Sequence, residues 1–316
     1  MDKSNKPFVL AVVGPTASGK TRLGAELAKE YGGEVVSADS MQIYKGMDIA
    51  SAKPTKAEMQ GIPHHLIGVI DRDTPFSAAD YVKMAREVIA DILGRGKLPV
   101  IVGGTGLYVD SLLNNVQFSE MKSDPDYREK LHALARTQGS EALYAELVRA
   151  DPAAAESIHM NNTVRVVRAL EVIHVTGRLF SELKAESIAE ESPYDSLILG
   201  LNAADRAVLY ERINHRVDEM VRAGLIEEAR AVYSEGNLRT AANAIGYKEL
   251  IPYFEGEMPL DECIDKIKQE TRRYAKRQLT WFRRNERIRW IVADDFSKNY
   301  EILENSKKAI AKYGRV

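Results

Sequence analysis

The first third of the chain alternates short apolar runs with segments of helical periodicity. The apolar runs are flanked by polar or glycine-containing turns and predict buried strands; they span residues 8–13, 34–38, 66–70 and 98–102. Residues 20–31 and 78–93 carry apolar side chains at helical spacing. Strands that alternate with helices predict an α/β fold, in which helices flank a parallel sheet.

The middle of the chain has a different pattern. Residues 123–191 form consecutive helical patterns interrupted at Gly139, Asp151-Pro152 and Gly177. The apolar run at 196–201 then restores a strand. We therefore predict a discontinuous α/β core from residues 1–122 and 195–316, with an all-helical insertion at 123–194.

The last part of the chain is predicted to be mainly helical. Amphipathic helices run through Arg230 up to a break at Gly236-Asn237. A long helix follows at about 260–284, and after it come an edge strand at 289–293 and a polar final helix.

Composition limits the class of protein. The chain has 316 residues, of which 45% are hydrophobic and 28% charged, as in ordinary folded proteins. Its single cysteine, Cys263, excludes an internal disulfide and a cysteine-rich zinc site, and it favours a reducing compartment. The apolar run at the start is too short for a signal peptide, and no stretch approaches the roughly 18 residues that span a membrane. We therefore expect a cytoplasmic protein with no membrane association.

Charge is distributed unevenly. The formal net charge is −2, which argues against a uniformly basic protein that coats nucleic acid. Residues 266–289, however, contain ten lysines and arginines and only two acidic residues. A locally basic surface on a near-neutral protein predicts contact with a polyanion, although a solvated cationic surface is the alternative.

A phosphate-binding loop follows the first predicted strand. Residues 14–21 fit the pattern G-x-x-x-x-G-K-[ST] between an apolar strand and a helix. In such a loop, backbone amides surround phosphate oxygens, the lysine adds a charge and the hydroxyl ligates magnesium. The predicted phosphate-binding residues are Gly14, Pro15, Thr16, Ala17, Ser18, Gly19, Lys20 and Thr21, with Thr21 as the metal ligand. This loop predicts the P-loop class of α/β fold, but it leaves the phosphate ligand open.

Two further strand ends carry candidate site residues. Asp39 follows the second strand, and Thr105 lies in the glycine-rich turn after the fourth. Ligands of open parallel sheets bind beyond the carboxyl ends of the strands, so both residues are predicted to face the phosphate loop. The alternatives are a capping aspartate and a plain turn. Asp71, which ends the run at 66–70, is a second candidate acid for magnesium.

Basic residues at helical spacing are more ambiguous. Arg212 and Arg216 share one helix face, as do Arg165 and Arg168, and most arginines of this kind are solvated. In the long helix, positions 267, 271, 274, 278 and 281 are predicted to form a mostly buried stripe, whose Tyr274 and Trp281 could dock the helix onto the protein. The other stripe is basic and is a candidate for binding a phosphate backbone.

Together these segments resemble the tRNA dimethylallyltransferase family, also called tRNA isopentenyltransferases, in its bacterial form without a zinc finger. The resemblance covers most of the chain, and it is the order and number of the segments that make it specific. The matching segments are GPTASGKT (14–21), DSMQIYKGMDI (39–49), AKP (52–54), PHHL (63–66), GGTGLY (103–108), DPDYR (124–128), NNTVRVVRALEV (161–172), TGRLFS (176–181), AIGYKE (244–249) and KRQLTWFR (276–283). Ala50-Ser51 and Gly68 depart from the family pattern, outside the proposed catalytic groups.

The resemblance implies transfer of a dimethylallyl group from dimethylallyl diphosphate to the exocyclic amine of the adenosine just 3′ of a tRNA anticodon. The loop would then bind diphosphate instead of ATP. Lys20, Arg216 and Mg²⁺ on Thr21 would stabilise the leaving group, Asp39 would accept the amine proton, and Thr105 would assist. The residues expected to contact the flipped adenosine and the anticodon stem-loop are Asp39, Ser40, Met41, Gln42, Thr105, Arg128, Arg165, Arg168, Lys276, Arg277 and Arg283.

Two other functions remain compatible with the same motifs. An ATP-dependent small-molecule kinase of the P-loop class would use the loop and the strand-end aspartate for phosphoryl transfer, and it would need no basic surface. A nucleotide-gated RNA-binding protein would need the basic helix but would leave Asp39 and Thr105 without a role. Binding of adenine nucleotides and transfer to tRNA distinguish the three functions.

Overall fold

A computed structural model describes residues 6–116, 124–187, 191–236, 244–292 and 299–315 of the chain. Within these ranges the strands are β1 (Phe8–Val13), β2 (Glu34–Ser37), β3 (His64–His65), β4 (Pro99–Gly103), β5 (Asp195–Asn202) and β6 (Ile288–Val292). The helices within the same ranges are α1 (Lys20–Glu30), α2 (Lys56–Met59), α3 (Ala78–Gly94), α4 (Gly106–Leu113), α5 (Pro125–Ala150), α6 (Pro152–Ser157), α7 (Thr163–Thr176), α8 (Phe180–Glu186), α9 (Arg206–Arg222), α10 (Leu225–Ser234), α11 (Ile251–Phe254), α12 (Leu260–Phe282) and α13 (Asn299–Tyr313).

The chain divides into two compact units. Residues 1–113 and 193–316 form the first unit, and residues 114–192 form the second. The boundaries expected from the sequence were 122/123 and 194/195; the first of these falls in 117–123, outside the described residues. The described elements of the second unit are all helices.

The first unit is built on one parallel sheet. Its strand order is β3-β2-β4-β1-β5-β6, and every recorded pairing between these strands is parallel. β1 lies in the interior of the sheet between β4 and β5, so the loop that follows it opens at the middle of the carboxyl edge. The predicted α/β class, a parallel sheet flanked by helices with a P-loop, is confirmed.

Side chains alternate between the two faces of the sheet. From β1, Val9 and Ala11 enter one apolar cluster with residues of α3, α4, α10 and α12. Leu10 and Val12 enter a second cluster with residues of α1 and α13. Because consecutive side chains of a strand point to opposite faces, a continuous apolar run is buried only when helices cover both faces.

The prediction of a strand at residues 66–70 is wrong. The short strand β3 lies just before it, and its residues His64 and His65 pair with Val35 and Val36. Leu66 and Gly68 both have a φ of 62°, which is incompatible with extended backbone. The apolar run therefore continues as a loop, with one isolated bridge between Tyr44 and Ile70.

The other predicted elements agree within a few residues. The edge strand β6 ends at Val292, and Ala293, the predicted last residue, lies outside the described residues. Asn237, half of the predicted break after α10, also lies outside them.

The second unit has its own apolar core. α5 and α7 pack against each other through Leu131, Leu143, Leu147, Val166 and Leu170. The breaks predicted here are present: Gly139 kinks α5 with a φ of 86°, α6 starts at Pro152, and Gly177 ends α7 in the left-handed conformation. These helix boundaries follow local rules for glycine and proline.

Close packing at the carboxyl edge of the sheet requires glycine. A Cβ atom at Gly14, where β1 leads into the P-loop, would lie 2.6 Å from the carbonyl oxygen of Leu201 in β5. A Cβ at Gly103 would collide with the carbonyl of Ala38. The loops after β1, β2, β4 and β5 are thereby brought close together at one edge.

Candidate active site

A cavity of about 280 Å³ opens at the carboxyl edge of the sheet in the first unit. We call it the main cavity. Its walls come from the P-loop, the loop after β2, α9, the start of α10, the segment 244–248 and α12. The lining residues are Thr16, Lys20, Thr21, Asp39, Ser40, Met41, Gln42, Ala50, Ser51, Ala52, Ile213, Arg216, Val217, Met220, Leu225, Ala244, Ile245, Gly246, Lys248, Ile267, Thr271, Tyr274, Arg277 and Gln278.

The P-loop turns sharply before α1. Ala17 and Gly19 are in the left-handed region, with φ of 61° and 87°, and Gly19 precedes α1 without a side-chain cap. The first backbone N–H groups of α1 therefore donate no hydrogen bond to a capping side chain. Free N–H groups at the start of a helix are a common binding site for anions. Thr16, Lys20 and Thr21 line the main cavity. Gly14, Pro15, Ala17, Ser18 and Gly19 shape the turn behind them.

Lys20 lies in an environment that disfavours its charge. Its Nζ donates to the carbonyl oxygen of Pro15 at 3.2 Å. Burial, together with the nearby positive charge of Arg216, lowers the pKa of Lys20 to about 8, although Asp39 opposes the shift. A bound anion would favour the charged form of this lysine.

Two arginines of α9 approach the P-loop. Arg216 Nη1 lies 3.4 Å from Thr16 Oγ1, and burial lowers the pKa of its guanidinium. One turn earlier, Arg212 Nη2 would lie 4.0 Å from a Cβ atom placed on Gly19, and burial followed by repulsion from Arg216 lowers its pKa as well. Arg216 lines the main cavity and Arg212 does not. The sequence could not distinguish these two from solvated arginines, because spacing alone carries no information about burial.

Asp39 is both a turn residue and a cavity residue. Its Oδ1 accepts hydrogen bonds from the backbone N–H groups of Met41, at 2.9 Å, and Gln42, at 3.2 Å. Its Oδ2 has no hydrogen bond within the described residues. The two interpretations of Asp39 in the sequence are therefore compatible, because one oxygen orders the loop while the carboxylate lines the main cavity.

Thr105 acts on the loop after β2. Its Oγ1 accepts a hydrogen bond from the N–H of Ser40 at 3.0 Å and donates to Ser40 Oγ at 3.3 Å. Thr105 is not among the residues that line the main cavity, whereas Ser40, Met41 and Gln42 are. In this structure Thr105 therefore positions Ser40.

Helix α12 contributes a contact that sequence reasoning missed. Gln278 Oε1 accepts the backbone N–H of Thr16 at 2.8 Å, and its Nε2 donates to the carbonyl of Gly104 at 2.9 Å. This side chain links the P-loop to the glycine-rich turn after β4. A polar residue within an otherwise apolar helical stripe was the available signal, because buried amides require partners.

The stripe predicted to dock α12 does so and also forms a cavity wall. Trp281 Nε1 donates to Asp110 at 2.6 Å, which fixes the end of the helix. Ile267, Thr271 and Tyr274 line the main cavity, as does Lys248 from the 244–249 motif. Sequence reasoning assigned no site role to Thr271 or Lys248.

The basic stripe of α12 is divided between two places. Arg277 lines the main cavity, and its guanidinium lies 5.7 Å from the centre of the Tyr274 ring. Lys276 and Arg283 line a separate pocket. All three side chains belong to exposed residues. The sequence grouped them as one surface, and the structure assigns Arg277 to the cavity instead.

Two of the three predicted tRNA-binding arginines of the second unit have a structural role. Arg128 Nη2 donates to both carboxylate oxygens of Glu171, at 2.9 and 2.8 Å, and Arg168 Nη1 donates to the same carboxylate at 2.9 Å. The Glu171 side chain is 0% exposed, so these arginines compensate a buried charge. Arg165 is exposed. Contact of the three with tRNA stays a prediction.

Asp71 lies outside the main cavity. Its carboxylate pairs with Lys45 at 2.9 Å, and its side chain is 67% exposed. The loop conformation of 66–70 removes the strand-end geometry that motivated a magnesium role for it. Asp39 is the strand-end aspartate that the structure brings to the P-loop.

The main cavity is polar at one end and apolar at the other. Lys20, Thr21 and Arg216 line it beside the P-loop. Farther along, α9, α10 and α12 contribute aliphatic side chains, together with Thr271 and Arg277. The largely buried apolar lining residues are Ile213, Val217, Leu225, Ala244 and Ile267. Such a cavity fits a ligand with an anionic head and a short hydrocarbon tail.

A parallel sheet with a P-loop at its central edge, and a cavity lined by P-loop residues beside it, define a P-loop α/β protein. The IPP transferase family model matches residues 42–285 of the chain. The tRNA dimethylallyltransferases of Thermoanaerobacter sp. (strain X514) and Geobacillus kaustophilus (strain HTA426) are 50% and 51% identical to it, each over 96% of this chain and 96% of the relative. The chain belongs to the IPP transferase family.

Solved structures agree with this assignment. The tRNA isopentenylpyrophosphate transferase from Bacillus halodurans is 44% identical, with a TM-score of 0.71 over 98% of both chains. A eukaryotic dimethylallyltransferase, described as acting on tRNA, is 29% identical, with a TM-score of 0.80 over 97% of this chain and 80% of the other. The resemblance seen in the sequence motifs is confirmed.

No helix in the described ranges is both long enough and apolar enough to span a membrane.

Proposed function

We propose that this protein transfers a dimethylallyl group from dimethylallyl diphosphate to the exocyclic amine of the adenosine 3′ of a tRNA anticodon and releases diphosphate. The observation that carries the proposal is the main cavity, in which Lys20, Arg216, the Asp39 carboxylate and an apolar wall face one space. A diphosphate head fits the polar end, and a five-carbon tail fits the aliphatic wall. A tRNA substrate supports a cytoplasmic location for this activity.

The P-loop side of the main cavity would stabilise the leaving group. Breaking the bond between the allylic carbon and oxygen builds negative charge on the diphosphate. The backbone amides at the start of α1, Lys20 and Arg216 would bind those oxygens. Removal of one such donor typically costs about 3 kcal/mol of transition-state stabilisation.

Asp39 would accept the proton. A bond forms between the adenine amine nitrogen and the allylic carbon while the bond to the diphosphate oxygen breaks, and the amine proton becomes acidic as this happens. The Asp39 carboxylate, with Oδ2 not engaged by any described residue, can take that proton. Ser40, Met41 and Gln42 line the same space and would hold the adenine.

Thr105 and Gln42 would keep the adenine-binding loop in shape. Thr105 fixes Ser40, and Gln42 Nε2 donates to the carbonyl oxygens of Ser51, at 3.3 Å, and Ala52, at 3.1 Å. The adenosine must leave its stack to reach this loop, which costs a few kcal/mol and least in a partly single-stranded anticodon loop.

The residues present fit a magnesium ion. Within the described ranges no cluster of three or more His, Cys, Asp or Glu side chains forms a dedicated cage. Thr21 and Asp39 line both the main cavity and a small pocket of about 20 Å³. Magnesium commonly takes one or two protein oxygens and completes its shell with substrate phosphates and waters. Thr21 would ligate the ion, which would neutralise charge on the diphosphate.

One incubation tests the function. Purified protein, magnesium and dimethylallyl diphosphate labelled in the hydrocarbon chain are combined with unmodified tRNA or with the same tRNA carrying guanosine at the target position. We expect label in the first tRNA and none in the second.

A parallel reaction with ATP labelled at the γ-phosphate detects hydrolysis or phosphoryl transfer. Label transfer from ATP, without dimethylallyl transfer, would establish the kinase alternative; tRNA binding without either transfer would establish the RNA-binding alternative.

A further inference from the structure

One carboxylate outside the lining of the main cavity binds three consecutive backbone amides. Glu228, in α10, accepts hydrogen bonds from the N–H groups of Asp48 at 2.8 Å, Ile49 at 2.9 Å and Ala50 at 3.0 Å. The Tyr247 hydroxyl donates to Oε1 of the same carboxylate at 2.7 Å. Four donors thus meet at one side chain, and we call this set of contacts the Glu228 clamp.

Both oxygens of Glu228 are engaged. Oε2 accepts the N–H of Asp48, Oε1 accepts that of Ala50, and the N–H of Ile49 lies within 3.1 Å of each. Among the described residues no basic side chain forms an ion pair with Glu228. Hydrogen bonds to an ionised acceptor are about twice as strong as those between neutral groups. The clamp therefore ties the backbone at 48–50 firmly to α10.

The clamp joins two segments of the cavity wall. Residues 50–52 continue from the clamped amides, residues 244–246 lead into Tyr247, and both segments line the main cavity. A Cβ atom placed on Gly246 would lie 3.4 Å from the Cβ of Ala50, so the two segments are closely packed. Glu228 thus fixes the position of a wall to which it does not itself contribute.

Gln42 extends this effect to the loop after β2. Its Nε2 donates to the carbonyl oxygens of Ser51 and Ala52, and its Oε1 accepts the Ser37 hydroxyl at 3.3 Å. Because the two carbonyls follow directly after the clamped amides, a shift of residues 48–50 would move the acceptors of the Gln42 amide. Gln42 lines the main cavity beside Asp39.

We propose that Glu228 is a positioning residue for the transfer reaction. It holds residues 48–52, and through them Gln42, in the geometry that accepts the flipped base. The proposal rests on the proposed function for the identity of that base, which is adenine. Glu228 does not line the main cavity, so its removal should change the orientation of the base and leave diphosphate binding by the P-loop intact.

Glu228→Gln tests the clamp at almost constant side-chain volume. An amide has one oxygen and one NH₂ group, and each oxygen of Glu228 accepts backbone N–H groups, so in either orientation the NH₂ group would face a donor. If Glu228 merely filled space, glutamine would replace it without loss. We expect kcat to fall roughly 10 to 10²-fold in Glu228→Gln and in Glu228→Ala, because a misplacement of about 1 Å can cost that much.

The substrate constants separate positioning from binding. The KM for dimethylallyl diphosphate and the inhibition constant of inorganic diphosphate should stay as in wild type, because the P-loop is not altered. Affinity for tRNA should also be retained. Thermal unfolding of each variant verifies that the fold is present.

Fluorescence of 2-aminopurine at the target position of the tRNA reports on the base without catalysis. This analogue lacks the reacting amine, and its fluorescence changes when the base leaves its stack. We expect a fluorescence change when the wild type binds this tRNA. Glu228→Gln should bind it with similar affinity and lose most of the change.

Two further variants complete the test. Glu227→Gln is the matched control, because Glu227 precedes Glu228 in α10, is exposed and does not line the main cavity; it should behave as wild type. Tyr247→Phe removes one of the four donors and should lower kcat less than Glu228→Ala does. In the Glu228→Ala background it should add little, since both residues act through the same carboxylate.

The outcomes separate this proposal from the proposed function. Wild-type kcat and a wild-type fluorescence change in Glu228→Gln would overturn the positioning role, as would equal losses in Glu227→Gln. Should the Glu228 variants fail to fold, Tyr247→Phe decides: a reduced kcat with unchanged substrate constants supports the role, and wild-type kcat overturns it. Absence of transfer by the wild type would reject the proposed function, and the fluorescence comparison would still decide whether Glu228 positions the base.

Discussion

The two ends of β2 place carboxylates in opposite situations. At its start, Glu34 is 3% exposed and is surrounded by Arg95, Lys97 and His65, with the closest N···O distances 2.5, 2.7 and 2.7 Å. Two residues beyond its end, Asp39 receives hydrogen bonds only from backbone amides within the described residues. The charge of Glu34 is thus compensated by neighbouring cations, whereas the charge of Asp39 has no ion pair among the described residues.

The cations around these acids follow the same contrast. Arg95 is held by Glu34 and Asp91, which raise the pKa of its guanidinium. Lys20 and Arg216, near Asp39, have lowered pKa values because burial outweighs the carboxylates that oppose the shift. Charges that are compensated within the protein stabilise the fold, whereas uncompensated charges in a cavity are available to a ligand. The following predictions test this contrast.

The largest effect is expected at Asp39. Asp39→Asn keeps an oxygen for the loop amides but removes the proton acceptor, so turnover should fall roughly 10² to 10⁴-fold. Affinity for tRNA should stay within a few-fold of wild type. Single-turnover transfer and equilibrium tRNA binding measure the two quantities.

Asp71→Asn is the control for that change. It removes an equally charged but exposed aspartate that pairs with Lys45 outside the main cavity. Its turnover should match wild type. Wild-type turnover in Asp39→Asn would contradict the role of Asp39.

Removal of the P-loop lysine should have the next largest effect. Lys20→Ala eliminates the cation proposed to bind the leaving diphosphate and should cost about 3 kcal/mol of transition-state stabilisation. The measurement is kcat/KM for dimethylallyl diphosphate. Lys29→Ala, at the other end of α1 and exposed, should leave kcat/KM unchanged. A Lys20→Ala enzyme with wild-type kcat/KM would show that the P-loop does not act on the diphosphate.

The lowered pKa of Lys20 predicts a pH dependence. Because this pKa is about 8 instead of 10.5, the free protein loses the ammonium charge as pH rises above about 8. Without that charge diphosphate binds less well, so kcat/KM should fall about tenfold per pH unit on this limb. The limb should be absent in Lys20→Arg, since a guanidinium keeps its charge. If Lys20→Arg retains the same limb, another group is responsible for it.

The smallest effect on activity, and a measurable effect on stability, is expected at Glu34. Its hydrogen bond with Arg95, and those with Lys97 and His65, hold the pKa of Glu34 far below its ordinary 4.5. Arg95 and Lys97 are about 40% exposed, at 39% and 43%, so water screens part of the interaction. Glu34→Gln should therefore reduce the free energy of unfolding by about 1 to 2 kcal/mol at neutral pH and leave kcat unchanged.

The pH dependence of that loss has a defined sign. A carboxylate with a depressed pKa in the folded state stabilises the protein above its unfolded-state pKa, and this stability is lost as pH falls toward the folded-state value. The difference between wild type and Glu34→Gln should be constant above about pH 5 and shrink below about pH 4.5. Urea unfolding at several pH values measures it. A difference that grows as pH falls would contradict the charge compensation at Glu34.

Features that depend on neighbouring residues could be predicted from the sequence. The P-loop at 14–21, the order of strands and helices, the breaks at Gly139 and Gly177 and the strand-end position of Asp39 all follow from local patterns. The error at 66–70 has a local cause too, because Leu66 and Gly68 adopt positive φ values that apolar periodicity does not reveal.

Features that depend on distant residues were decided by the tertiary structure alone. Gln278 contacts the N–H of Thr16 across 262 positions of sequence, and Arg206 meets Lys276 and Arg283 in one pocket only because α9 and α12 lie side by side. An arginine at helical spacing can be solvated, paired with a buried acid or placed beside a phosphate site, and its sequence neighbours are similar in all three cases. Burial and charge compensation set these roles, and both are determined by which elements the fold brings into contact.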